Sequence, residues 1–132
     1  MRSAASAILL TLCWAACSAA GPDQPLAIEA GKTFALRAGE SAQTGDAALR
    51  IGFDSVSADS RCPKGERCVW AGDATVRIWL QRRSGAKEWL ELHSANGDGP
   101  GVRLVRLDPS PVTGKVLAQR DYVATLALSG DR

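Results

Sequence analysis

The sequence predicts an all-β protein, an antiparallel β-sandwich with a small β-barrel as the alternative. Three observations carry that expectation. Apolar residues alternate with polar or small ones in about seven short segments, which is the period of a strand with one face buried. Gly and Pro punctuate the gaps between them. No segment sustains the 3.6-residue period of a helix. The chain has 132 residues and a net charge of +2, which fits one modest domain. Its bases are scattered along the chain rather than gathered into a stripe, so the charge balance demands neither nucleic acid nor an anionic membrane as a partner.

The first segment is an address. Met1-Arg2-Ser3 supplies one positive charge, and Ala4 to Ala16 is an apolar run containing Ile8, Leu9, Leu10 and Leu12. A bilayer-spanning helix needs about 20 apolar residues, so this layout predicts a secretory signal peptide over residues 1–16. Two endings compete. Trp14-Ala15-Ala16-Cys17 resembles a bacterial lipobox, in which the cysteine becomes the lipidated first residue, although Trp14 stands where such motifs usually carry Leu. Ordinary cleavage after Ala20 is the alternative. Lipidation at Cys17 leads, which predicts a membrane partner through an amino-terminal lipid and a flexible tether over residues 17–25. Ser18 after the cysteine resembles the default for outer-membrane sorting. The expected location is therefore the bacterial cell envelope, at the outer membrane facing the periplasm, with a soluble periplasmic or secreted form as the alternative.

A single β domain is expected over residues 26–132. Leu26 and Ile28 alternate before Gly31, and Phe34 and Leu36 before Gly39. Leu49, Ile51 and Phe53 alternate strictly against Arg50, Gly52 and Asp54. Val56 falls out of phase with them, which predicts a bulge or bend. Ala74, Val76, Ile78 and Leu80 share one face. Arg83-Ser84-Gly85-Ala86 is a turn, and Leu90 and Leu92 return as the second arm of a hairpin. Trp79 and Trp89 fall on the opposite face, as a cross-strand aromatic pair or as an exposed ligand-stacking platform. Ser94 to Gly101 reads as a plain turn. Val102 to Leu107 is a strand stopped by Asp108-Pro109-Ser110-Pro111. Tyr122, Ala124, Leu126 and Leu128 form the last one. Tyr122 is placed to hydrogen-bond a nearby corner, as in immunoglobulin-like sandwiches.

Between the strands ending near Val56 and beginning at Ala74 lies the most unusual tract of the chain. Residues 59–74 hold Cys62, Cys68 and Trp70 among three acids (Asp59, Glu66, Asp73) and three bases (Arg61, Lys64, Arg67). In an oxidising, exported setting Cys62 and Cys68 are expected to form a disulfide. Their Cys-x5-Cys spacing differs from the Cys-x-x-Cys of thiol redox enzymes. A metal site of Cys62, Cys68 and His93 would need reduced thiols, so no metal or other cofactor is expected. A nucleophilic triad would need His93, whose neighbour Ser94 faces the other side of a strand. Two compatible readings of the tract remain. In one, its charges are local ion pairs and Trp70 packs over the disulfide. In the other, Asp59, Arg61, Lys64, Glu66, Arg67, Trp70 and Asp73 form a candidate binding loop on a rigid frame.

The run Asp-Ser-Arg-Cys-Pro, continued by Cys-Val-Trp-Ala-Gly-Asp-Ala, resembles a motif of small bacterial envelope lipoproteins of unassigned function. It covers Asp59 to Ala74 and implies export and a single β domain, without an activity. The expectation is a non-enzymatic exported lipoprotein that binds a protein or envelope component. An inhibitor of an extracytoplasmic hydrolase, and an exported hydrolase or thiol-redox enzyme, are the alternatives.

Overall fold

The structure, a computed structural model, describes residues 24–129. The expected signal segment and the candidate lipidation residue Cys17 lie outside them.

Two sheets face one another, and both are open, so the sandwich holds and the barrel does not. The first sheet contains β1 (Leu26–Ile28), β3 (Ser41–Thr44), β4 (Leu49–Asp59), β5 (Ala74–Arg82) and β6 (Lys87–His93), in the order β1-β3-β4-β5-β6. The second contains β2 (Thr33–Arg37), β7 (Asp98–Gly99), β8 (Val102–Asp108) and β9 (Val123–Leu128), in the order β2-β9-β8-β7. All pairings are antiparallel except β1 with β3, between which the chain crosses to the other sheet to lay down β2.

Period-two alternation built these strands because every second side chain enters the space between the sheets. Ile51, Phe53, Val76, Ile78 and Leu92 from one sheet meet Leu36, Val102, Ala124 and Leu126 from the other, each at most 1% exposed. Fully burying such an aliphatic side chain stabilises the fold by roughly 1.5–3 kcal/mol. Val56 joins this core although it is out of phase in the sequence. Register shifts between Phe53 and Ser55, and between Val56 and Ala58, supply the expected irregularity. Gln119 then caps the bulged stretch: its amide oxygen accepts the Val56 N–H, and its amide nitrogen donates to the Val56 carbonyl, both at 2.9 Å. A side chain thus stands in for a missing strand neighbour. Gln119 lies in a single 3-10 turn, Gln119–Asp121, just before β9.

Two elements escaped the sequence pattern. Ser41–Thr44 buries only Ala42, which leaves no apolar alternation to find. Asp98–Gly99 pairs with β8 inside a segment that reads as a plain turn.

On the outer face of the first sheet Trp79 and Trp89 are direct partners, as the cross-strand reading requires. Trp79 lies flat over Gly52, where any added Cβ would sit 2.1 Å from the indole. Lys87 and Arg50 cover that ring at 4.1 and 5.7 Å from its centroid, and Arg77 covers Trp89 at 4.5 Å. These cation–π contacts occupy ring faces that a stacking platform would offer.

Candidate functional site

The loop from β4 to β5 starts as a continuation of its hairpin. Ser60 N–H donates to the Asp73 carbonyl at 2.7 Å and Cys62 N–H to the Ala71 carbonyl at 3.1 Å. Gly72 makes this approach possible, because it has φ +70° and any Cβ there would lie 1.8 Å from the Ser60 carbonyl oxygen. Cys62 and Cys68 are bonded, with Sγ atoms 2.11 Å and Cα atoms 5.9 Å apart. The described residues therefore hold no free thiol.

Beneath the bridge lies a polar knot. Arg61 Nε and one terminal nitrogen donate to the two oxygens of Asp59, each at 2.8 Å. The guanidinium also donates to the carbonyls of Leu107 (2.7 Å) and Pro109 (2.9 Å), at the end of β8. Tyr122 donates its hydroxyl to Asp59 at 3.0 Å. Burial alone would push the Asp59 carboxyl up, but the hydrogen bonds and charge of Arg61 outweigh it and hold the group below its usual range. The Asp59 carboxylate in turn raises the Arg61 pKa. Burial, and then the same carboxylate, push the Tyr122 phenol up. Asp59 and Arg61 side chains are only 11% and 15% exposed. Both are drawn toward the core and tie the two sheets together, while Arg61 also borders the cleft below the bridge. Tyr122 performs a corner role, with a carboxylate across the sandwich as its partner.

The other acids and bases of the tract are not the ion pairs expected of them. Glu66 accepts the Thr113 hydroxyl, and Lys64 N–H donates to the Pro111 carbonyl at 2.9 Å, opposite Val112. The loop is thereby joined to the β8–β9 connection. Lys64 and Arg67 side chains are exposed and make no ion pair among the described residues. Asp73 collects three donors near the start of β5: His93 Nδ1 at 2.7 Å, Ser94 Oγ at 3.0 Å and Ala95 N–H at 3.0 Å. Burial raises its pKa, but these bonds dominate and lower it. Ser94 gives its hydrogen to Asp73 rather than to the imidazole, so the three groups are not arranged as a nucleophilic triad.

Trp70 does not pack over the disulfide. It is 82% exposed and its neighbour Val69 is 91% exposed. The hairpin bonds of Ser60 and Cys62 carry the loop outward before Trp70 is reached, beyond the apolar space between the sheets. Val116 and Val112, on the adjoining β8–β9 connection, are 92% and 46% exposed. The sequence reading missed this second loop, whose signal is two valines among turn-forming residues. Below the bridge, a cleft of about 610 Å³ runs between this loop and β8, lined by Arg61, Ala71, Leu104, Val105, Leu107 and Pro111 among others. One end of the sandwich thus presents a pinned base, an open cleft and an exposed apolar tip.

No family model matches the chain, and comparison with curated proteins and with solved structures returns no match.

Proposed function

We propose that this chain is a non-enzymatic, exported, lipid-anchored binding module that offers the Cys62–Cys68 loop end to a protein or envelope component. Export and anchoring rest on the signal pattern and on Cys17. The binding assignment is carried by one observation: Val69 and Trp70 stand 91% and 82% exposed on a loop whose base is covalently and electrostatically fixed. A large aromatic left in water is an informative exception, and Trp is the residue most enriched among the anchors of interfaces. Fixing the loop beforehand lowers the entropy lost on binding. The contact set is then Val69, Trp70, Lys64 and Arg67, with Asp59 and Arg61 as its support. The same protruding, stapled tip also suits an inhibitor that enters the active site of an extracytoplasmic hydrolase.

The test is co-purification from envelope extracts with Trp70→Ala beside wild type, with thermal unfolding of each. The variant is expected to lose its partner at an unchanged melting temperature. Undiminished co-purification overturns the assignment of this tip as the contact surface.

A further inference from the structure

We propose that the Trp70 end of the sandwich docks on an anionic lipid surface, its apolar tips entering the headgroup layer while the surrounding cations meet lipid phosphates. This rests on the binding-module reading and names the occupant. Val69, Trp70 and Val116 are each more than 80% exposed. They belong to one end of the molecule, because the bonds from Lys64 to Pro111 and from Thr113 to Glu66 hold their two loops side by side.

Charge selects the partner. Lys64, Arg67, Lys115 and Arg120 are exposed on these loops, and none is in an ion pair among the described residues. Glu66, Asp73 and Asp121 keep their charge while accepting hydrogen bonds from neutral or weakly basic donors. With Arg61 paired to Asp59, four bases stand against these three acids, so the balance offered to a partner is positive. Arg37, Lys115 and Arg120, together with Asp121, Leu117 and Val123, also line a cleft of about 390 Å³, in which three bases outnumber one acid.

The order of residues fits a bilayer boundary. Arg67 lies two positions before Val69, and Lys115 immediately precedes Val116. At a membrane surface apolar tips sink below the phosphate level while neighbouring bases stay at it, and Trp favours that boundary. Lipids can rearrange around two neighbouring apolar tips without a preformed groove. An acidic protein groove is the competing occupant.

The experiment uses the whole chain with vesicles of phosphatidylcholine, alone or with about one-third phosphatidylglycerol, carrying brominated acyl chains. The signal is the Trp70 contribution to fluorescence quenching, wild type minus Trp70→Phe, so whatever else holds the chain to the vesicle cancels. Quenching is expected in anionic vesicles, at least about twofold stronger than in neutral ones, and declining with salt. Lys115→Gln with Arg120→Gln is expected to reduce it by about half. Equal quenching in both vesicles, or none, overturns lipid docking. Absence of quenching together with loss of a co-purified protein in Trp70→Ala would overturn this proposal and leave the binding-module reading standing.

Discussion

Tyr122 donates its phenolic hydrogen to Asp59 at 3.0 Å, joining residues 63 positions apart. Asp59 ends β4 in one sheet and Tyr122 directly precedes β9 in the other, so this bond closes the end of the sandwich from which the candidate loop emerges. Arg61 completes the closure. Its guanidinium spends its donors on Asp59 and on two carbonyls at the end of β8, which is the fork geometry that suits arginine rather than lysine.

Arg61→Ala is therefore expected to destabilise the fold by about 3 kcal/mol, because it strands a mostly buried carboxylate and two carbonyls. Arg61→Lys should recover only part of the loss, since a single ammonium cannot serve the same acceptors. Urea unfolding of the three proteins checks both statements. A cost below about 0.5 kcal/mol for Arg61→Ala, the size of an ordinary surface change, would contradict the knot.

The same cluster sets a dependence on pH. The folded pKa of Asp59 is lowered, so the unfolded chain binds the proton more readily and stability rises with pH across that interval. Its contribution is complete above the ordinary value of 3.8 and is lost as pH falls below it through the lowered folded value. Asp73 acts in the same sense. Tyr122 is shifted upward, so its contribution is complete below its ordinary value of 10.0 and is lost as pH rises through the folded value. Unfolding midpoints across pH should fall on both sides. Asp59→Asn should reduce the acid loss, part of which stays with Asp73, and to a smaller extent the alkaline loss, which is set first by the burial of Tyr122.

Two glycines of the loop separate strain from collision. Gly65 has φ +84° with open space around it, whereas Gly72 has φ +70° and faces the Ser60 carbonyl oxygen at 1.8 Å from any added Cβ. Gly65→Ala should cost about 1 kcal/mol, from backbone conformation alone. Gly72→Ala should cost at least about 3 kcal/mol, because backbone rather than a movable side chain stands in the way. Thermal unfolding of the two variants gives the comparison directly; equal losses would show that the Ser60–Asp73 pairing is not held closely.

How much was legible follows from the distances over which each feature is decided. Alternation at Leu49, Ile51 and Phe53, and at Ala74, Val76, Ile78 and Leu80, is a property of neighbouring residues on a pleated strand, so the sequence alone determined those strands, their buried faces and the sandwich class. The Cys62–Cys68 bridge was equally local. The direction of Arg61 was not, because its acceptors at Leu107 and Pro109 lie 46 and 48 positions away and come near only when the sheets close. Which of the two open places Trp70 takes was undecided for a related reason. An aromatic beside a disulfide packs inward only if apolar space exists there, and the hairpin bonds of Ser60 and Cys62 carry it past the end of the core instead. Local chemistry chose the strands, while the meeting of the two sheets chose which loop side chains became structure and which were left facing outward.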